Sequence, residues 1–416
     1  MTDQNTIYDA AVIGAGPAGM MAAIRAGHSG KKVVLLERND APGKKLLLTG
    51  NGRCNLTNAA SLDEFIDKFK PNGEFLRTAF FKFSNQDLMD FFQSNGLEVK
   101  VEKQGKVYPV TDKAASVVAV LEKSLKDNGV ETIYGRRVEK ITARNACFEV
   151  AVSGQIFKAK KVVLAAGGAS YPATGSTGDG FALVSVFGHT IAPVLPGLVP
   201  LTVKEAWVKD LQGLSFADVR LIFYRDNKKI SSDIGEMLFT HYGISGPLVL
   251  DISSEVAAAV EARGATRLCI DFLPGSTRQD LESGLFKDFN FKSGGKIANI
   301  LQAVFPKRMV GVFLGLLSIP SSSLAGQINK KDRLAIVEML KAFPLTVTGS
   351  LSFDEAMVTC GGVSRKEINP RTMESRIVPG LYFCGEVIEG AASSGGYNLQ
   401  QAFSTGYLAG ESLCER

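Results

Sequence analysis

Three glycines in Gly14-Ala15-Gly16-Pro17-Ala18-Gly19 constrain this chain most, because they lie between an apolar run and a helical pattern. Ile7–Ile13 (IYDAAVI) reads as a short buried strand. Pro17 to His28 reads as a helix rich in Ala, Gly and Met, with proline in the first turn where a missing N–H costs little. Lys32–Glu37 (KVVLLE) gives a second buried strand. The whole is a strand–turn–helix–strand unit of about thirty residues, the size of a βαβ crossover. In such a unit the first glycine permits the tight turn, the second lets backbone amides approach a pyrophosphate, and the third lets helix and strand pack closely. The phosphates then sit at the helix N-terminus, where unpaired donors and the dipole favour anions. Glu37 follows the last glycine by about twenty residues, where a carboxylate accepts hydrogen bonds from ribose hydroxyls. The alternative is a glycine turn with no ligand.

This fingerprint does not separate NAD from FAD; other stretches do. LLLTGNGRCNLTN (46–58) follows Pro42-Gly43-Lys44-Lys45, where a dehydrogenase would normally begin another helix. It packs glycines, asparagines and Arg53 into a loop that can turn polar groups inward. Gly167-Gly168, after the strand KVVLAA, is a second point of close approach, and Gly395-Gly396 before a C-terminal helix is a third. An extended cofactor with a ribityl linker and a flavin ring uses contacts from several segments. Reduced flavin carries negative charge around N1 and the C2 carbonyl, and a helix N-terminus aimed there stabilises it. Glu386 is placed to take hydrogen bonds from the ribityl chain, and Asn398 or its neighbours provide the first helical N–H groups. Leu399, Ala402, Phe403, Gly406, Ala409 and Leu413 recur at helical spacing, so that face can pack tightly.

At 416 residues the chain is long for one core, and its 45% hydrophobic and 21% charged content is that of a globular protein. From about Ile191 the texture becomes β-rich (LVPLTV, VRLIFY, RLCIDF), and helical periodicity returns from about Thr277 to Phe343. The expected organisation is one discontinuous nucleotide-binding domain, 1–190 with 350–416. A β-rich module at 191–275 and 335–349 and a helical module at 276–334 are spliced into it. Six scattered cysteines without C-x-x-C suit free thiols and no metal. The polar N-terminus, MTDQNTIYDA, carries no readable signal peptide, which points to the cytoplasm, and no uninterrupted apolar stretch reads as a membrane span. Lys plus Arg exceed Asp plus Glu by 47 − 42 = 5, with no basic tract, so nucleic acid is not an expected partner.

GAGPAG, TGNGRCNLTN, VYPVTDKAASV, LAAGGASYPATGSTGDG, GEMLFTHYGISGP, MVTCGGVSRKEINPRTMESRIVPGLYFCGEV and GGYNLQQAFSTG occur in order from about residue 8 to 410. In these motifs the chain resembles the BaiN/YhiN-type bacterial flavoproteins, described as aminoacetone-oxidase-like or NAD(P)/FAD-dependent oxidoreductases. The resemblance implies an α/β fold: a Rossmann-like FAD-binding domain carrying an inserted β-barrel-like module and a small helical module. It also implies FAD contacts at Gly14, Gly16, Gly19, Glu37, Arg38, Gly52, Arg53, Asn55, Gly167, Gly385, Glu386, Gly396, Asn398 and Leu399. Ala15, Pro17, Ala18, Lys45, Cys54, Val138 and Ala166 complete the candidate cofactor set. Between GE and GGYN the family usually shows an aspartate and a glycine; Glu389 and Ala392 stand there in this chain, which bears on substrate choice.

Flavin carries the redox step, so the protein binds, orients and moves protons. His241, in LFTHYGISGP, reads as a proton donor or substrate contact, or as a hydrogen-bonded loop histidine. Tyr397 reads as a substrate contact or a core residue. Cys54 lacks a partner cysteine and reads as structural. No second G-x-G-x-x-G is present, so NAD(P)H enters only as a transient reductant, if the substrate does not itself reduce the flavin. The expected activity is FAD-dependent oxidoreduction of a small organic molecule, on an unsaturated substrate or an amine. The inserted module is expected to fold over the flavin. A nicotinamide-only dehydrogenase and a flavoprotein acting on RNA are the disfavoured alternatives.

Overall fold

The structure, a computed structural model, describes residues 6–69, 71–144, 147–225, 228–291 and 293–414. The extreme N-terminal residues read above for a leader lie outside these. The chain divides at Gly197/Leu198 and at Leu351/Ser352 into two compact units.

The first unit is built on a seven-stranded sheet. Ile7–Ile13 lies between Val33–Leu36 and Gln155–Leu164, all parallel, with Val12 opposite Leu35 on one side and Val163 on the other. Every residue of Val33–Leu36 is buried, as a parallel strand covered on both faces requires. Glu131–Ile133 and Leu381–Phe383 extend the parallel part, while Val138–Arg144 and Cys147–Val152 form an antiparallel meander on Gln155–Leu164. Helix Pro17–His28 has the bounds its sequence predicts. The segment expected as a loop after Lys45 begins as a short helix, Lys44–Leu48, and then turns through Gly50, Asn51 and Gly52, all at positive φ. The small sheet Thr57–Asn58, Lys106–Pro109 and Val99–Val101 follows in space.

The spliced-in modules begin later than expected, because Ile191–Gly197 pairs with Val358–Val363 inside the first unit. The second unit is a closed six-stranded barrel, Leu201–Val203, Gly243–Ser245, Lys228–Phe239, Ser215–Arg225, Thr266–Asp271 and Phe343–Ser350. Phe223, Phe239, Leu268, Ile270 and Phe343 fill its core with Phe313. The stretch expected to be β-rich also contains helix Pro247–Arg263, ended by Gly264 in the left-handed region. Further helices run Arg278–Phe291, Ile297–Leu301, Lys307–Leu316 and Lys330–Lys341. Among the described residues no helix is long and apolar enough to cross a membrane.

Candidate functional site

The three fingerprint glycines have different physical reasons. Gly14 is at φ +100, and a Cβ there would lie 2.5 Å from the Ala165 carbonyl oxygen. At Gly19 a Cβ would lie 1.9 Å from the Gly14 oxygen. Gly16 is at φ −77, a conformation open to any residue, and a Cβ there would meet no protein atom within 4 Å. Neither strain nor crowding within the chain therefore calls for glycine here, and the open side leaves room for a ligand's phosphates. No side chain caps helix Pro17–His28, so its first N–H groups, from Ala18 and Gly19, are available to an anion. Ala15 is committed, donating its N–H to Glu37 Oε2 at 2.7 Å.

Glu37 is 6% exposed, and its Oε1 accepts from the backbone N–H and Nδ2 of Asn39, both at 2.8 Å. A carboxylate has about four lone-pair positions, so one stays open to a ribose hydroxyl. Arg38 donates to Thr177 Oγ1 at 2.7 Å and Asp179 Oδ2 at 3.0 Å, pinning the turn after Gly175. Ala166 and Gly167 leave the central sheet, with Gly167 at φ +73; Val138 is buried at the start of the outer meander strand.

A largely buried polar cluster forms around Glu386. Its Oε2 lies 2.8 Å from Lys45 Nζ, and its Oε1 accepts from Ser170 Oγ at 2.8 Å and the Thr359 N–H at 2.7 Å. Burial alone would push this carboxyl up. The Lys45 charge, aided by its hydrogen bond and those of Ser170 and Thr359, overcomes that and holds it below the usual carboxylate range. Gly385, at φ +76, lets the segment approach Ala18, whose Cβ would be 2.7 Å from a side chain there.

The C-terminal helix Tyr397–Ser412 begins at Gly395 (φ +122) and Gly396 (φ +99), again with no side-chain cap. Gly406 and Gly410 lay it directly on the fingerprint helix, since a Cβ at either would come within 2.4 Å of Ala18 or Ala22 carbonyl oxygen. The Asn398 side chain folds back onto the Ala392 backbone, accepting at 2.9 Å and donating at 3.0 Å, so its amide is committed within the chain. Leu399 packs on the main core. Tyr397 is 7% exposed in a cluster with Phe65, Phe69, Leu76 and Phe80, edge-on to Phe65, which is the core reading of this residue.

Arg53 and Cys54 have structural partners or surroundings of their own. Arg53 is held by Glu102 and Asp112 and lies 4.0 Å over the Tyr108 ring. Those two carboxylates raise its already high pKa. Cys54 is buried at φ +63, and burial pushes its thiol up to about 12, which makes it inert. Gly52 is at φ +83. His241 belongs to the second unit, exposed, its ring edge against Tyr242. Where the family shows aspartate and glycine, Glu389 pairs with Arg365 at 3.4 Å and Ala392 is buried in the aromatic cluster. Among the described residues no group of His, Cys, Asp and Glu is placed to hold a metal.

Sequence reasoning passed over Ser170, Thr359 and Asn39. The glycine pairs beside Ser170 and Thr359 were the available signal: a Cβ at Gly168 would lie 2.2 Å from Thr359 Oγ1.

The residues fit FAD on three observations: the bare side of Gly16, two uncapped helix starts, and, of the six buried side-chain polar atoms without protein partners among the described residues, Asn55 Oδ1 and Ser393 Oγ in the two glycine-rich candidate segments. Such orphaned atoms are rare in a finished interior and mark places where a ligand completes the hydrogen bonding. A Rossmann sheet with this glycine turn, and a second uncapped helix packed along the first, has the form of a flavin-dependent oxidoreductase. Residues 8–412 match the model of the HI0933-like protein Rossmann domain, and the chain belongs to that family. It is 36% identical to the 3-dehydro-bile acid delta(4,6)-reductase of Clostridium scindens, over 97% of this chain and 98% of that protein. It is 32% identical to the ribosomal RNA dihydrouridine synthase of Escherichia coli, over 98% of each. The fold is shared with the 3-ketosteroid delta1-dehydrogenase of Sterolibacterium denitrificans, at a TM-score of 0.54 and 13% identity over 98% of this chain and 99% of that one. The protein is an FAD-dependent oxidoreductase.

Gly396 offers a direct check on whether this helix start faces the flavin. A Cβ there would lie 2.4 Å from the Thr57 carbonyl oxygen, and φ is +99, so even alanine must displace the helix start. A dipole contact of about 0.3–2 kcal/mol is at stake, or about 6–40 mV for a two-electron couple. Gly396→Ala should lower the flavin midpoint potential by this amount, measured by dye-equilibrated reduction. An unchanged potential at full FAD occupancy would reduce Gly395-Gly396 to a chain turn.

Proposed function

We propose that this oxidoreductase reduces a carbon–carbon double bond conjugated to a carbonyl on a small organic substrate. One observation carries the reading: two relatives matched over nearly their whole length have names that specify the same kind of bond. A 3-dehydro steroid with a delta-4 double bond is an enone, and the uracil C5=C6 bond reduced in dihydrouridine is conjugated to the C4 carbonyl. Both reactions add two electrons and two protons across an electron-poor alkene. When bound, FAD supplies the two-electron chemistry. The chain's own part is to hold the pyrophosphate at the Pro17–His28 helix start and to anchor the ribityl hydroxyls at Glu386. The Tyr397–Ser412 helix start then presents its N–H groups to the charge that reduction creates. A nicotinamide nucleotide, visiting without a Rossmann site of its own, is the proposed electron source.

A small substrate is preferred to RNA because the surplus of 5 positive charges over 416 residues includes no basic tract to neutralise a phosphate backbone. The test is anaerobic. Dithionite-reduced enzyme is mixed with a 3-oxo-delta-4,6 bile acid, a simple cyclic enone, uridine, or unmodified ribosomal RNA, and flavin reoxidation is followed in the visible. Reoxidation by the enones with a two-hydrogen mass gain in the product supports the reading. Reoxidation by RNA alone would move the substrate to a nucleic acid. No reoxidation by any conjugated alkene, with bleaching of oxidised enzyme by amines, would overturn it in favour of an amine oxidase.

A further inference from the structure

The double glycine ahead of the C-terminal helix does not hold its own direction; a third segment does. Asn58, 3% exposed, ends the two-residue strand Thr57–Asn58. Its Nδ2 donates to the Gly395 carbonyl at 3.1 Å and to the Gln104 carbonyl at 3.0 Å, and its Oδ1 accepts from the Ala60 N–H at 3.0 Å. Two carbonyls on one side of the amide and an N–H on the other fix which atom is nitrogen. One side chain therefore joins the helix start, the turn at Gln104 and Gly105, and its own strand.

The surroundings leave this bolt little play. Gly105 sits at φ +71, and a Cβ there would press within 2.4 Å of Asn58 Oδ1. Thr57, its neighbour, presents the carbonyl oxygen that meets Gly396 at 2.4 Å from an added Cβ. Asn85 steadies the strand from behind, donating to the Asn58 and Ala60 carbonyls at 2.7 and 3.0 Å without touching the glycines. Gly395 is unusually free to rotate, having no Cβ, so an external hydrogen bond is what selects its peptide orientation.

We infer that Asn58 is a positioning residue for the cofactor: by clamping the Gly395 peptide it sets where the Tyr397–Ser412 helix start points, and so tunes the flavin. This rests on the reading that the helix start faces the flavin. The isosteric change Asn58→Asp keeps the acceptor for Ala60 but sets a negative charge against two carbonyls. Asn58→Ser shortens the side chain and removes both amide N–H donors, and its single hydroxyl cannot bridge the two carbonyls.

The experiment measures the flavin midpoint potential and the FAD dissociation constant of Asn58→Ser, Asn58→Asp and Asn85→Ala, each reconstituted with excess FAD. Asn58→Ser should lower the potential and raise the dissociation constant roughly tenfold, as the loss of two hydrogen bonds implies. Asn58→Asp should lower the potential further. Asn85→Ala should lower the melting temperature and leave the potential at the wild-type value, which separates positioning from strand stability. If Asn58→Ser does not purify, the Asp variant gives the same reading. Wild-type potential and FAD affinity in the Asn58 variants would overturn the inference, as would an equal shift in Asn85→Ala. If Gly396→Ala also leaves the potential unmoved, the flavin-facing helix itself is at fault; if it moves the potential and the Asn58 variants do not, only the role of Asn58 falls.

Discussion

Gly16→Val should give a folded, colourless protein. The backbone at Gly16 is extended, φ −77 and ψ 178, which a β-branched residue adopts without strain. No protein atom lies within 4 Å of the Cβ position, so the substitution meets nothing inside the chain. It meets the pyrophosphate instead, because the amides at this helix start reach an anion only if the second glycine stays bare. FAD affinity should fall by at least about a hundredfold, about 2.8 kcal/mol. Far-UV circular dichroism of the apoprotein should match wild-type protein stripped of flavin. Gly14→Val is the informative contrast: at φ +100, with the Ala165 carbonyl 2.5 Å from its Cβ, that change should cost folding itself. Retention of FAD by Gly16→Val at wild-type stoichiometry would place the phosphates elsewhere.

That contrast also shows what the sequence could and could not convey. Local rules delivered the fingerprint helix with its bounds, Pro17–His28, because proline, small residues and a two-period switch from the apolar strand act over neighbouring positions. They also delivered the C-terminal glycine pair, since positive φ is a local demand. They failed where partners are far apart in the chain. Lys45 and Glu386 are 341 positions apart, and nothing local to either announces the other. Arg53, surrounded by glycines and asparagines, suggested a loop turned toward the ligand. Its charge is answered by Glu102 and Asp112, on segments whose approach depends on the small sheet that Thr57–Asn58 completes. Helix Pro247–Arg263 was hidden for another reason: its buried residues are spread around the barrel-facing side without a sharp polar stripe. Tyr397 could not be assigned before Phe65, Phe69 and Phe80 were seen to close around it, because an aromatic ring beside glycine serves a ligand or a core equally well.

Lys45→Met should destabilise the fold sharply. The pair it breaks keeps about a fifth of each side chain accessible, 21% for Lys45 and 23% for Glu386. Breaking a buried pair strands the remaining charge, at about 3–5 kcal/mol, and the residual accessibility argues for the lower end, about 3 kcal/mol. The pH dependence gives the effect its signature. In the wild type Glu386 is held below its ordinary pKa, so its stabilisation is complete above the unfolded value, about 4.3, and is lost as pH falls through the folded value. Without Lys45, burial dominates and the folded pKa rises above the unfolded one. The variant is then destabilised fully at neutral pH and recovers as acid protonates Glu386 through the raised value. The gap in melting temperature between the two proteins should therefore be widest near neutrality and narrow toward about pH 4. Adding Glu386→Gln to Lys45→Met should recover most of the loss, because a neutral amide needs no counter-charge while Ser170 and Thr359 still have an oxygen to bond. A gap that stays constant from pH 4 to 8, untouched by the second substitution, would mean that Lys45 contributes packing alone and that the Glu386 carboxylate is stabilised by other groups.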